Sequence, residues 1–600
     1  MPDWSYHVLF KPLLSRLPPT VSRDFIHKGM NRIASIPGGK SFINFLGREE
    51  SSWRLEKNIG HLRVSNSIGI SGKIDPHLTG TKAFTNLGFG FIEIGPVTKI
   101  ATKSVPPTID QQNKNIKFHD PLESIGVIKT IDRLKQQQPN QPIFIRLSGT
   151  VKEQLELTSI LDDVADAFIF EFDTKESNLD GFDPIKKPIF LAITCSQVES
   201  VSLSTIQSTY SGLLLDEVPH EVDSITRQSH KHALLFLKSN HFLLPVITVG
   251  GVLEPDDALS LFDAGADLIL LTSGYVFSGP GLPKRIKEAQ LDQLPKEEFN
   301  YKGWGWYFLF GFSIMIGGLI TLLLSMTTII LPYDEHFLEM SRSSIELFNE
   351  RILAFMAHDR MTLAGTMISG GFLYMFLATY GVKRGLRWAK QTIDAAAIVG
   401  FLGILLFIGY GYFDWLHLLF WLILLPFYVI GFIKTRHIRE TATSRNRHNH
   451  SVWKGSLFGQ FCFVILGFSF VFGGAMISFI GVTNVFVTTD LLYLCMPPEM
   501  LDDFNQQLIP VIAHDRAGFG SALLSVGLLV LMISLWGFQQ GNRWVWWTLF
   551  IGGIPAFTSG IAVHFAIGYT TFIHLLPAYF ALLLYVTGLL FSYRYFYLTK

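Results

Sequence analysis

Two different rhythms of apolar residues divide this chain near residue 300. Between Leu62 and Gln290, the short apolar runs FGFIEIG, PIFIRLSG, AFIFEF, PIFLAIT, GLLLDE, LPVITVGG and DLILLTSG are each followed by a polar, helix-like stretch. Repeated strand–helix units predict a parallel sheet, and about 230 residues suit a TIM-type (β/α)8 barrel over residues 62–295. A doubly wound sheet is the alternative. From Gly303 onward the runs become long enough to cross a bilayer. Residues 303–333, 361–382, 395–413, 415–433, 455–489, 517–542 and 544–593 contain no Asp, Glu, Lys or Arg. The last run accommodates two spans, so eight transmembrane helices are expected.

The membrane half repeats itself. Ala-His-Asp-Arg occurs at 357–360 and again at 513–516, an offset of 156, each time leading into an apolar segment. At the same offset Gly311, Ser313, Gly317 and Gly318 fall on Gly467, Ser469, Gly473 and Gly474, Asp334 on Asp490, and Phe348 and Asn349 on Phe504 and Asn505. Gly381, Gly385, Arg387 and Trp388 fall on Gly537, Gly541, Arg543 and Trp544, and one residue of slip brings His417 onto His574. Two four-helix repeats are therefore expected, 303–450 with a connecting linker and 451–600. An even number of spans gives both repeats the same orientation.

Composition adds direction to this picture. Mean hydropathy is +0.32 and only 16% of residues are charged, most of them before residue 303, which excludes one large soluble domain. The basic stretches KRGLRWAK (383–390) and KTRHIRETATSRNRHNH (434–450), Arg543 and the terminal YRYFYLTK place those segments in the cytoplasm, while the acidic loops 333–351 and 490–507 lie outside. An integral, plasma-membrane protein with a cytoplasmic barrel and cytoplasmic termini follows, its first partner the lipid bilayer. The amino terminus has no secretory-signal pattern. No basic stripe suggests nucleic acid. Cys195, Cys462 and Cys495 are scattered and match no metal-ligand spacing, so neither a disulfide nor a metal ligand is assigned.

Two blocks, GISGKIDPHLTGTKAFTNLGFGFIEIGPVT (69–98) and LPVITVGGVLEPDDALSLFDAGADLILLTSGYVFSGPGLPKRIKE (244–288), give residues 1–290 a resemblance to the dihydroorotate dehydrogenases of the membrane-associated, quinone-using class. The opening WSYHVLFKPLLSRLPPTVSRDFIHKGMNRIAS is similar to that class's amphipathic helices, which admit quinone, and defines a leading segment 1–61. The resemblance implies FMN and quinone as cofactors, with Gly250, Gly251, Ser273 and Gly274 as the grip on the flavin phosphate or on another phosphate-containing small molecule. It also exposes losses. The family's flavin-contacting lysine falls on Pro76, a second active-site lysine on Ala192, and the catalytic-base loop on FEFDTKESN (170–178), which has no Ser-Pro-Asn. Asp216 and Glu217 stand where amide donors to orotate are expected, and 109–126 lacks the family's Asn-Asn pair. Proton abstraction needs a positioned base, and an anionic substrate needs cationic and amide donors. Catalytic residues are therefore unassigned, and dihydroorotate oxidation is expected to be lost. Lys73, Asp75 and His77 read as solvated loop residues.

In the membrane half, His358, Asp359, Arg360, His417, His514, Asp515, Arg516 and His574 form the densest polar set. Ionisable residues inside a membrane carry function by default. Three readings stand: an Asp–Arg ion pair with a capping histidine, ion or small-ligand handling, and metal or haem ligation by paired histidines within each repeat. His564 has no counterpart in the first repeat and is set aside. The sequence thus admits a membrane protein with a degenerate barrel or, alternatively, an active flavin oxidoreductase passing electrons to quinone.

Overall fold

Eight parallel strands close into a barrel in the first half of the chain: β1 Ile68–Ile70, β2 Phe91–Val97, β3 Ile143–Leu147, β4 Ala167–Glu171, β5 Ile189–Thr194, β6 Gly212–Asp216, β7 Val246–Val249 and β8 Leu268–Leu271. Each pairs with the next, and β8 returns to β1 through Ile269↔Ile68 and Leu271↔Ile70. This is the expected (β/α)8 fold and removes the doubly wound alternative. The computed structural model describes residues 2–48, 50–172, 186–217, 221–295, 302–406, 412, 415–439 and 442–598. It separates into two units, residues 1–296 with 443–451, and residues 297–442 with 452–600.

Strand side chains alternate between the two faces of the sheet, so every second residue enters the barrel. Phe91, Phe144, Phe190, Ala167, Ile169, Leu214, Ile247, Leu268 and Leu270 fill its lower layers. The Phe91 and Phe144 rings lie 5.0 Å apart, and Phe144 and Phe190 5.5 Å. Gly69 and Gly212 make this possible, because a Cβ on either would fall 2.6 Å or less from the Phe91 or Phe190 ring. An antiparallel hairpin, Lys57–Ile59 with Leu62–Val64, adds Ile59 and Val64 to the same interior cluster. At the other end, helices Pro19–Ser35 and Gly39–Gly47 lead into the unit, and a second hairpin, Thr108–Asp110 with Asn115–Lys117, interrupts the β2–β3 connection.

Residues 443–451, which cover the end of the expected cytoplasmic linker and the first residue of the second expected repeat, group with the barrel unit. Asn449 donates from its amide to the Leu253 carbonyl at 2.9 Å and accepts from Arg285 at 2.7 Å. His448 lies 2.9 Å from Glu254.

Among its described residues, the second unit holds eight long helices: α1 Trp304–Thr327, α2 Arg342–Phe376, α3 Arg387–Leu406, α4 Trp415–Thr435, α5 Ser451–Val482, α6 Leu508–Trp536, α7 Arg543–Ile567 and α8 Phe572–Tyr597. Among the described residues, seven of these are long and apolar enough to cross a membrane. The helix α2 begins well before its charge-free run, with non-helical backbone at Asn349, matched by Asn505 just ahead of α6. The most buried helices are α2 and α6. They pack on each other and exchange neighbours, α2 taking α7 and α6 taking α3.

Candidate functional site

The barrel mouth is built from inward positions above the interior aromatic layer. Glu93 of β2, Arg146 of β3, Glu171 of β4 and Asp216 of β6 occupy such positions, joined by Lys73 just after β1 and Glu217 just after β6. Arg146 reaches Asp216 at 2.5 Å, Glu171 at 3.1 Å and Glu93 at 3.7 Å. Lys73 Nζ donates to Asp216 at 3.0 Å and to Glu217 at 3.1 Å. Ser71 Oγ and the Gly72 amide both donate to Glu93. Burial alone would raise the Asp216 carboxyl, but Arg146 and Lys73 overcome it and hold the group well below the usual carboxylate range. Burial likewise opposes the Lys73 charge, and Asp216 and Glu217 outweigh it, holding the ammonium above its ordinary value. The expectation of solvated loop residues fails for Lys73 and Asp75. Lys73 is closed into this network, and Asp75 is buried against the Thr79 and Gly80 amides and His27. Burial would raise the Asp75 carboxyl, but His27 and those amides lower it. His77 is half-buried and pairs with Glu123 at 2.8 Å.

The four expected grip residues lie together, and the amides of the two glycines and the Ser273 hydroxyl are already engaged within the barrel. Gly250 and Gly251 take left-handed backbone, φ +75° and +74°, where only glycine is unstrained. The Gly250 amide donates to the Leu270 carbonyl and the Gly251 amide to Asp223 Oδ1, both at 2.9 Å. Glu217 Oε2 accepts from Thr272 and lies 2.6 Å from where a Gly250 Cβ would stand. Ser273 Oγ donates to Asn115 Oδ1 at 3.0 Å and accepts from the Ile116 amide. Gly274 packs so closely on the Val252 carbonyl that a Cβ there would fall 1.6 Å from its oxygen. Burial, and then the neighbouring Glu217, push the Asp223 carboxyl up to about 7. At the two glycines a flavin phosphate would meet the side chains of Glu217 and Asp223, which offer it no cation, so this part of the grip does not fit FMN.

Of the sequence positions aligned with lost catalytic groups, Pro76 and Ala192 are buried and supply no polar side chain, while most of FEFDTKESN (173–178) lies outside the described residues. The amino-terminal helices border an apolar cleft that includes Leu14, Ile26, Met30, Tyr275 and Phe277, with Lys73 in its lining.

In the helical unit, the repeated motifs pair with each other. Arg360 Nε donates to Asp515 at 2.7 Å, and Arg516 Nε to Asp359 at 3.3 Å. Each arginine also holds the aspartate that opens a short helix in its own repeat, Arg360 with Asp334 at 2.9 Å and Arg516 with Asp490 at 2.5 Å. Tyr412 and Tyr569 donate to those same aspartates, Asp334 and Asp490. Asn349 donates to the Leu494 carbonyl and Asn505 to the Leu338 carbonyl, while the Phe348 and Phe504 rings stack at 3.7 Å. The histidines also pair across, contrary to the expectation of pairs within a repeat. His417 lies 4.8 Å from His514 by ring centroids, and His574 5.9 Å from His358. His564, set aside on sequence, stands with its Nε2 2.9 Å from His358 Nε2. His358, His564 and His574 form a group with metal-ligand spacing, where the sequence assigns none.

No family model matches the chain. Curated relatives do. Dihydroorotate dehydrogenase (quinone) of Christiangramia forsetii is 23% identical over 344 residues, covering 48% of this chain and 99% of that protein. The protein of the same name from Nostoc punctiforme is 23% identical over 308 residues, covering 41% of this chain and 81% of its own length. A crystal structure of DHODH in complex with ferulenol from Eimeria tenella aligns at 14% identity, covering 43% of this chain and 91% of that one, with a TM-score of 0.35. The barrel unit is thus a relative of the quinone-type dihydroorotate dehydrogenases over most of their length, joined in one chain to a helical unit with seven apolar candidate spans among the described residues.

Proposed function

We propose that this is an integral membrane protein whose dehydrogenase-derived barrel no longer oxidises dihydroorotate and serves the helical half as a folded module without flavin. The carrying observation is the buried network of Lys73, Arg146, Glu171 and Asp216 across the barrel mouth, with Asp223 seated on the Gly251 amide. An oxidation of this kind needs a base at the reacting carbon and donors for an anionic substrate; this mouth offers cations already neutralised by carboxylates. The membrane assignment rests on seven apolar spans and on the amino-terminal helices, where Leu13, Val21, Phe25 and Phe42 are exposed as in helices that lie on a bilayer surface. The basic connections favour a plasma-membrane protein with the barrel and both termini on the cytoplasmic side. The exchanged Arg–Asp and Asn–carbonyl contacts, with a matching Tyr–Asp contact inside each repeat, support descent of the helical unit from a duplicated four-helix segment.

The competing reading, a flavin oxidoreductase passing electrons to quinone, draws on the apolar cleft beside Lys73 and the two left-handed glycines. Expression in a pyrimidine-requiring strain that lacks dihydroorotate dehydrogenase separates the two. No growth without uracil is expected at verified expression; growth would establish the oxidoreductase.

A further inference from the structure

Three imidazoles from three helices of the second unit converge on one point. His358 of α2, His564 of α7 and His574 of α8 each bring one ring nitrogen within 4.8 Å of the other two. The hydrogen bonds on the far side of two rings fix their tautomers. His358 Nδ1 lies 2.9 Å from Asp359 Oδ1, and His564 Nδ1 lies 2.5 Å from the Gly560 carbonyl oxygen. A carboxylate and a carbonyl only accept, so each Nδ1 carries the proton and each Nε2 presents a lone pair. Those two lone-pair nitrogens face each other at 2.9 Å. Two acceptors at that separation repel unless a positive species lies between them, either an added proton or a metal ion.

The surroundings favour the metal ion. Asp359 behind His358 reproduces the carboxylate–histidine–metal arrangement that orients a ligating ring. His574 is held by stacking on Tyr569 at 4.0 Å and by Thr489 Oγ1 at 3.4 Å from its Nδ1. Among the described residues, the linked buried carboxylates Asp334, Asp359, Asp490 and Asp515 pair with two guanidiniums, Arg360 and Arg516, and with the imidazoles of His358 and His514, so that with neutral imidazoles two negative charges remain. A divalent cation balances that excess fully, whereas one proton does not. Nitrogens bound to one tetrahedral ion at bonds of about 2 Å stand roughly 3.3 Å apart, so His358 and His564 need open by only a few tenths of an ångström. Axial ligands on opposite faces of a haem iron would stand roughly 4 Å apart, which disfavours haem for this pair.

We infer that His358, His564 and His574 form a binding site for one divalent transition-metal ion of the zinc class, for which imidazole is a preferred ligand. The other repeat supplies the internal contrast. It brings His417 and His514 together, but the sequence positions equivalent to His564 are Ile408 or, with the one-residue slip, Phe407, so no third imidazole is provided. One ion per chain is the expected stoichiometry, not two.

The test uses the full-length protein in mild detergent, purified with a histidine-free affinity tag. After equilibration with Zn2+ and extensive dialysis, elemental analysis should find about one zinc per chain. Co2+ should give visible d–d absorption that Zn2+ abolishes. His564→Phe should weaken retention at least tenfold and remove the cobalt spectrum, while His417→Phe should leave both unchanged. Added Zn2+ should raise the Tm of the wild type and not of His564→Phe. Wild-type protein that neither retains zinc nor develops a cobalt spectrum would overturn the site, whatever the folding of the variants. Undiminished zinc retention in folded His564→Phe would overturn it equally.

Discussion

Asp223 gives the phosphate-grip argument a quantitative consequence. Its carboxylate accepts from the Gly251 amide while buried beside Glu217, which pushes its pKa up to about 7. An unfolded aspartate titrates near 3.9, and the gap corresponds to about 4 kcal/mol. The sign follows from proton binding: the folded state holds this proton more tightly, so stability is lost as pH rises from about 4 to about 7 and then levels off. Asp223→Asn copies the neutral form and keeps an oxygen for the Gly251 amide. It should therefore stabilise the barrel by about 4 kcal/mol at pH 8, but by only about 1–2 kcal/mol at pH 5. For a unit of this size that is a rise in Tm of roughly 8–16 °C at pH 8. Thermal unfolding of full-length protein, followed by circular dichroism at both pH values, provides the assay. A gain independent of pH, or none at pH 8, would refute the assignment of Asp223 as a buried acid occupying the grip.

Other substitutions probe the remaining contacts. Arg146→Met strands Glu93, Glu171 and Asp216 and should cost about 3–5 kcal/mol by thermal or denaturant unfolding. Gly474→Ala places a Cβ 2.4 Å from the Leu524 amide nitrogen on α6, whereas Gly473→Ala meets nothing within 4 Å. The first should destabilise the helical unit by about 1–3 kcal/mol and the second should be nearly neutral, measured by thermal aggregation in detergent. Asn349→Ala and Asn505→Ala remove equivalent donors to Leu494 and Leu338, so each should cost about 1 kcal/mol, with losses of similar size in the same assay.

Much of the architecture was readable because burial imposes a period. Seven of the eight barrel strands appear as apolar runs, while β1, Ile68–Ile70, is three residues between small polar ones and leaves no such run. The ring of inward charges was also written in the sequence, as one charged residue in each of FIEIG, FIRLSG and FIFEF and an Asp-Glu pair in LLLDE. That signal becomes legible only once strand phase is known, since a residue's parity decides whether it faces the mouth or the helices. In the helical unit, the repeat offset identifies equivalent residues without naming partners. Arg360 and Asp359 are adjacent in sequence, yet Arg360 pairs with Asp515, because α2 and α6 lie against each other. His564 was missed for a related reason. A search for repeated residues discards what breaks the repeat, and here the unmatched histidine completes the three-imidazole group.

The central claim is that the barrel has exchanged its flavin for its own charged side chains. Its most direct test is the visible absorption of full-length protein, purified in mild detergent and titrated with FMN. A spectrum without flavin bands, and no quenching of FMN fluorescence on titration, is the expected result. A yellow protein retaining about one FMN per chain, bleached by dihydroorotate and recoloured by quinone, would contradict it.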